Sequence, residues 1–302
     1  MSENVKETKQ NVLEMKGINK SFFGNQVLTD VSFDVRKGEV HCLLGENGAG
    51  KSTLIKILSG AYHCDSGEIF IEGEQLVDNN PSKSIAAGVS VVYQELNMMP
   101  DLPIYENVFI GKEFTKGIFF DRKTQIAETK KYLDIVGLDI DPRTIVGNLS
   151  IAQQQMVEIC KALMVDAKVL IMDEPTDGLH LDDVRRLLLL FNEMTDAGNT
   201  LILIEHSLDV MKQADYLVEL GPEGGAAGGR LLFCGKPRDI LTEKQSITST
   251  FLWNVSKNSS SAAEKILRRW TWRPPSSSSA GSGIPRCSAR PTPFTGKAWN
   301  AV

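Results

Sequence analysis

Residues 45–53 read Gly45-Glu46-Asn47-Gly48-Ala49-Gly50-Lys51-Ser52-Thr53, and this run restricts the fold more tightly than any other. Its spacing, Gly-x4-Gly-Lys-Ser, is that of a phosphate-binding loop. The glycines leave backbone N–H groups free to close round phosphate oxygens, the lysine supplies a positive charge to the outer phosphates, and the serine hydroxyl can meet Mg²⁺. Such a loop needs a strand before it and a helix after it. Val40-His41-Cys42-Leu43-Leu44 reads as a buried strand, and Thr53-Leu54-Ile55-Lys56-Ile57-Leu58 as a helix. Phosphates then fall at the helix N-terminus, where unpaired N–H groups and the dipole favour anions. The segment predicts a bound nucleoside triphosphate.

The rest of the composition narrows the setting. A chain of 302 residues, 42% hydrophobic, can hold one large α/β domain or two smaller ones. A net charge of −5 gives no general case for nucleic acid. The cysteines at 42, 64, 160, 234 and 287 are scattered and never spaced Cys-x-x-Cys, which predicts a reducing compartment, no disulfide framework and no zinc module. Met1 to Gln10 is polar and unlike a signal peptide. Apolar runs such as Leu187–Phe191 are too short for a bilayer, so a membrane role goes through a partner. From Trp253 onward the chain carries eight basic residues and one acid, Glu264, in a Ser/Pro/Gly-rich setting. That composition predicts a disordered basic extension.

Along the chain, 12–35 alternates apolar and polar residues around a turn at Phe23-Gly24-Asn25. A short strand pair is centred on Gly67–Gly73, and Val89–Tyr93 is β-rich. Residues 95–165 are mostly helical by pattern, broken at Pro100, Pro103 and Pro142. Val169-Leu170-Ile171-Met172 and Leu201-Ile202-Leu203-Ile204 read as fully buried parallel strands, with an amphipathic helix over Asp182–Thr195 between them. Five glycines between 221 and 229 mark a long turn before Arg230-Leu231-Leu232-Phe233. Strands alternating with helices predict an α/β sheet. The expected organisation is a flexible N-terminus over 1–11, one domain over 12–245 with a helical insertion at about 95–165, and a disordered tail over 246–302.

Several polar residues stand where this topology brings strand ends together. Asp173 and Glu174 follow a buried strand directly. Asp173 is the candidate to hold Mg²⁺, and Glu174 is placed to polarise an attacking water as general base. Gln94, after its own strand, could ligate Mg²⁺ or orient water, and His206, after Leu201–Ile204, could donate to a γ-phosphate. Alone, a Gln or a His at a strand end is more often structural; the shared crevice argues otherwise. Ser150 precedes an apolar-periodic helix (Met156, Ile159, Cys160, Leu163) and is a natural N-cap.

Taken in order, the phosphate loop, Gln94, Leu149-Ser150-Ile151-Ala152-Gln153, Asp173-Glu174-Pro175-Thr176 and His206 resemble the nucleotide-binding domain of ABC ATPases. The resemblance implies an α/β fold with a P-loop, an antiparallel β subdomain and a helical insertion. It implies ATP and Mg²⁺ as cofactors: Gly45 to Thr53, Gln94 and Ser150 at the nucleotide, Phe22 stacked on adenine, Ser52, Gln94 and Asp173 at the metal, and Lys51, Glu174 and His206 in catalysis. Ser150 would reach the γ-phosphate held by a second copy's loop, so that two domains sandwich two ATP molecules.

Within that family, residues 12–176 resemble the first ATPase domain of bacterial ribose, galactose and xylose importers. Tyr93-Gln94-Glu95-Leu96-Asn97, Asp139-Ile140-Asp141-Pro142-Arg143 and Ser150–Met156 carry the likeness. Asp177-Gly178-Leu179-His180, Ile204–Val210 and Leu220–Gly225 resemble instead the C-terminal end of the DNA-damage-sensing ABC ATPase of the excinuclease, as if two genes met at a shared motif. Ala152 stands where most such signatures have glycine, and His180 where an acid or hydroxyl is usual. The leading expectation is the ATP-hydrolysing subunit of a sugar importer, peripheral on the cytoplasmic face of the bacterial inner membrane. Its partners would be membrane-spanning permease subunits, a second ATPase domain or copy and, indirectly, a sugar-binding protein. The alternatives are an excinuclease-like DNA-repair ATPase, disfavoured by the lack of zinc modules, and a chimera that binds ATP without coupled work.

Overall fold

The computed structural model describes residues 10–116, 119–164, 167–222, 229–243 and 245–250. Its first element is the expected hairpin. Strands β1 (Asn11–Phe22) and β2 (Asn25–Arg36) pair antiparallel across the two-residue turn Phe23-Gly24, in which both residues have positive φ, as a primed hairpin turn requires. The chain then enters β3 (Val40–Leu44) and passes through the glycine-rich loop into α1 (Lys51–Leu58). Next come β4 (Ser66–Ile71), the short β5 (Glu74–Gln75), α2 (Pro81–Ala86) and β6 (Val89–Val92). The insertion holds α3 (Ile104–Phe109), a small hairpin of β7 (Thr115–Lys116) and β8 (Phe119–Phe120), α4 (Arg122–Ile135) and α5 (Ile151–Leu163). After it come β9 (Val169–Asp173), α6 (Leu181–Asp196), β10 (Thr200–Ile204), α7 (Leu208–Gln213), β11 (Tyr216–Gly221) and β12 (Arg230–Gly235).

Two sheets organise the molecule. The larger runs β12-β11-β3-β10-β9-β6, parallel except for the antiparallel edge strand β12, and the smaller is β2-β1-β4-β5, all antiparallel. The strands of the larger sheet are apolar on both faces because both faces are covered. Leu43, Ile171, Ile202, Ile204, Val218 and Leu220 pack toward the smaller sheet and α1. Cys42, Leu44, Leu170, Met172, Leu201, Leu203 and Leu217 pack toward the helices. Successive residues of one strand thus enter two separate cores, as a period of two requires. Burial pushes the free thiol of Cys160 in α5 up to about 12, so it packs as a small hydrophobe rather than a nucleophile.

The order of the larger sheet determines which loops can meet. β3 lies in its middle, β10 and β9 come next on one side, and β6 closes the edge. The carboxyl ends of these parallel strands therefore lie along one border of the sheet. Behind that border α1 is anchored at its far end, where Asn79 Nδ2 donates to the carbonyls of Ile57 and Leu58, both at 3.0 Å, and Ser84 Oγ donates to Leu58 O at 2.8 Å.

Three features were not expected from the sequence. The insertion carries the β7–β8 hairpin as well as helices, α2 comes after the small sheet, and β11 is a buried parallel strand beside β3. At the ends of the expected domain, Asn11 already belongs to β1. Ser246 is buried, and Thr248 donates to Glu219 Oε1 on β11 through its N–H at 2.8 Å and through its hydroxyl at 2.6 Å. The flexible start expected for residues before 10, and the tail expected beyond 250, lie outside the described residues.

Candidate functional site

The loop after β3 has the conformation that its glycines allow. Gly45, Gly48 and Gly50 have φ of 141°, 88° and 98°. A Cβ on Gly45 would collide with Leu220 O of β11, and one on Gly50 would come within 2.6 Å of Leu28 Cδ2 on β2. These positions are therefore closed to other residues by both backbone angle and space. Gly50 caps α1 without a side-chain bond to the first turn, so that turn presents its backbone N–H groups to the loop's concavity. Glu46, Asn47 and Gly48 are exposed at the rim, Ala49 is buried, Ser52 is exposed and Thr53 half-buried.

Lys51 is largely enclosed. Its Nζ donates to Gly45 O at 2.6 Å and Glu46 O at 3.1 Å. Burial holds its ammonium below the usual lysine range, while the charges of Glu174 and Asp173 oppose that shift. Burial also raises Asp173, the last residue of β9, and the Glu174 carboxylate raises it further, against the attraction of Lys51. The two carboxylates and the ammonium thus feel one another's charge across the border of the sheet, in partial shelter from water.

Glu174 is the hub. Its Oε2 accepts from Gln94 Nε2 at 2.9 Å, and its Oε1 lies 3.3 Å from His206 Nε2. The residue is held at φ 50°, a left-handed conformation that costs a side chain with a Cβ about 1 kcal/mol or more. Its N–H donates to Ile204 O at 3.0 Å, which ties the end of β9 to the end of β10. Gln94 also donates to Asp177 Oδ2 at 3.2 Å.

Four residues singled out in the sequence (Lys51, Asp173, Glu174 and His206) therefore share one electrostatic neighbourhood, and Gln94 joins it by hydrogen bond. Ser150 and Phe22 stand apart from this group. Ser150 caps α5 with a reciprocal box: Gln153 N–H donates to Ser150 Oγ at 3.3 Å, and Ser150 N–H to Gln153 Oε1 at 2.9 Å. Phe22 ends β1, with its ring 5.3 Å from that of Tyr62 and Lys20 Nζ 5.2 Å from its centre. The strand end is pinned by Asp65, which accepts from Lys20, from Ser21 N–H and from Ser21 Oγ.

Two participants were not assigned a role from the sequence. Asp177 entered only as the first residue of the excinuclease-like run that follows Pro175-Thr176, with no role of its own. Glu205 precedes His206 and is buried, with Oε1 accepting from Thr176 N–H at 2.9 Å; a carboxylate closing an apolar strand is the signal that could have marked it. His180, which replaces the expected acid or hydroxyl, still caps α6, accepting from Asp182 N–H at 3.5 Å.

The donor set fits a nucleotide with a hard cation. Oxygen from a serine, an amide and a carboxylate suits Mg²⁺, which keeps water and phosphate as its other ligands and needs few from the protein. Among the described residues no group of three or more His, Cys, Asp and Glu could hold a metal.

Residues 28–177 match the ABC transporter family. The chain is 44% identical over 239 residues to the xylose import ATP-binding protein of Geobacillus kaustophilus, covering 78% of this chain and 46% of that protein. It is 43% identical over 217 residues to a ribose import ATP-binding protein of Streptomyces avermitilis, covering 72% of this chain and 42% of that one. To the L-arabinose transport ATP-binding protein of Geobacillus stearothermophilus it is 46% identical over 212 residues, covering 69% and 41%. The chain thus spans less than half the length of these relatives. Among solved structures, an ATP-binding cassette of an ABC transporter in its ADP conformation superposes with a TM-score of 0.69 at 26% identity, covering 80% of this chain and 98% of that one. A nucleotide-free cassette does so with 0.70 at 25%, covering 80% and 97%. The fold is that of an ATP-binding cassette. A match over 78% of the chain passes residue 176 wherever it begins, so the importer likeness is not confined to 12–176 as the sequence suggested.

Proposed function

We infer that this chain, which over residues 28–177 belongs to the ABC transporter family, is the ATP-binding and ATP-hydrolysing subunit of a sugar importer. The observation that carries this reading is the placement of the Glu174 carboxylate between the Gln94 amide and the His206 ring, beside the Lys51 loop. The names of the relatives, import ATP-binding proteins for xylose and ribose and a transport ATP-binding protein for L-arabinose, supply the substrate class.

In this reading the N–H groups of Gly45 to Thr53 wrap the phosphates and Lys51 Nζ exchanges its carbonyl partners for phosphate oxygens. Ser52, Gln94 and Asp173 hold Mg²⁺, which when bound neutralises phosphate charge. Glu174 takes a proton from water as that water's oxygen bonds to the γ-phosphorus and the bond to the bridging oxygen of ADP breaks. His206 donates to a γ-phosphate oxygen and stabilises the charge that spreads there. Phe22 offers its ring to the adenine. Ser150, apart from this chain's own Lys51 group, serves the γ-phosphate of a second copy or partner domain.

The helical insertion docks on membrane-spanning partners, at the cytoplasmic face. Among the described residues no helix is long and apolar enough to cross a membrane. The whole reading is tested by Glu174→Gln. ATP binding is expected to persist while turnover disappears, and a dimer should accumulate on size exclusion with ATP. Turnover equal to that of the unmodified chain would overturn the assignment of the base.

A further inference from the structure

Glu205 directly follows β10 and is only 3% exposed, a costly place for a carboxylate unless both oxygens are engaged. They are, and toward different loops. Oε1 accepts from Thr176 N–H at 2.9 Å, on the segment that leaves β9 after Glu174. Oε2 accepts from His206 N–H at 3.2 Å and Ser207 N–H at 3.4 Å, on the segment that leaves β10. We propose that Glu205 is a positioning residue for ATP hydrolysis: it clamps the loop bearing Glu174 to the loop bearing His206 and so sets their contact. The proposal rests on the catalytic roles inferred for Glu174 and His206.

Geometry favours a clamp over a passive buried bond. The strand ends below the two loops are already joined, by the parallel β9–β10 ladder, whose last bond runs from Glu174 N–H to Ile204 O at 3.0 Å. That ladder fixes the strand ends but leaves the chain beyond them, where Glu174 and His206 lead away from the sheet, free to diverge. The Glu205 bridge adds a tie beyond the ladder, two residues further along one loop, and so holds the two together there. The 3.3 Å contact between His206 Nε2 and Glu174 Oε1 spans the same gap. The chemistry also requires a carboxylate. All three partners are N–H donors, so both prongs must accept, and bonds to an ionised acceptor are roughly twice as strong as neutral ones. An amide would turn an NH₂ group toward a donor on one side or the other. Glu205 touches neither water nor phosphate in this scheme and acts through its neighbours.

The test compares Glu205→Gln, His206→Ala and the double variant in the full chain, by steady-state ATP hydrolysis. Glu205→Gln is expected to lower kcat about tenfold or more with KM for ATP changed less than about twofold, since misplacement of reacting groups by as little as about 1 Å can cost roughly 10²-fold. In the His206→Ala background it should add little, because the contact it serves is already gone. Losses that multiply in the double variant, or that fall on KM alone, overturn the proposal. If the unmodified chain shows no turnover, it is the functional reading that fails. The clamp is then decided by amide hydrogen exchange on the unmodified protein, which also serves if Glu205→Gln does not fold. The amides of Thr176 and His206 should open with one common protection, because one carboxylate holds both. Independent opening of the two overturns it.

Discussion

Lys51 and Asp65 show how differently two charged side chains can serve one site. Lys51 is enclosed and bonded to the loop's own carbonyls, so its charge is already aimed where phosphates belong. Lys51→Ala should remove nucleotide binding in a fluorescent-ATP titration, and retained tight binding would contradict the phosphate-loop reading. Asp65 lies at the surface, yet Lys20 and Ser21 hold its carboxyl down to about 2, from an ordinary 3.8. A depressed carboxylate adds stability that is present above the ordinary pKa and is lost as the pH falls through the folded one. Asp65→Asn should therefore lower the melting temperature slightly at about pH 7, and the gap to the unmodified chain should close between about pH 4 and about pH 2. A constant gap across that range would show that the bond to Ser21, not the charge, matters. Residue types at this scale were readable in the sequence wherever a motif fixed them, as for Gly45 to Ser52. Glu205 carries a local mark, a carboxylate closing an apolar strand, but nothing local to it announces that its partner is Thr176, beyond another strand.

The glycine-rich loop and α1 form one element with two anchors. At its start Gly50 leaves no room for a Cβ against Leu28, and at its end Asn79 and Ser84 satisfy the last carbonyls. Gly50→Ala adds a steric clash to a left-handed backbone angle. It should destabilise the fold by roughly 1–3 kcal/mol in chemical denaturation and weaken ATP binding further than that loss explains. Asn79→Ala removes a side chain that serves two carbonyls behind the site. It should cost about 1–3 kcal/mol of stability while leaving the affinity of the folded protein for ATP within about twofold, since affinity is set at the other end of the helix. Periodicity made the long elements legible: β1–β2, β3, β9, β10, α5 and α6 all stand where the apolar pattern placed them. It failed at β11, whose Glu219 interrupts an apolar run, and at β7–β8, two strands of two residues each, too short for any period to register.

At the scale of the whole molecule the proposed site is half-built by one chain. Lys51, Asp173, Glu174 and His206 are assembled within it, whereas Ser150 is engaged in its own capping box. If Ser150 completes a site on another copy, a mixture of Lys51→Ala and Ser150→Arg chains should recover ATP turnover that neither shows alone. A mixed dimer pairs one intact loop with one intact Ser150. No recovery, with dimers demonstrably formed, would count against a shared site. In the sequence such pairing came only from the family resemblance of Leu149–Gln153; no periodicity or spacing in the run dictates it, because which surfaces meet is decided by the shape of a complex. The backbone at the hub carries a cost of its own for the molecule. Glu174 sits at a left-handed φ of 50°, where asparagine or glycine would rest more easily. Glu174→Gly should therefore melt higher than the unmodified chain by differential scanning fluorimetry while hydrolysing nothing. A laboratory evolution experiment that rewards heat resistance alone would drift toward a sturdier protein that has lost its chemistry, so any such screen on this chain has to assay turnover alongside melting.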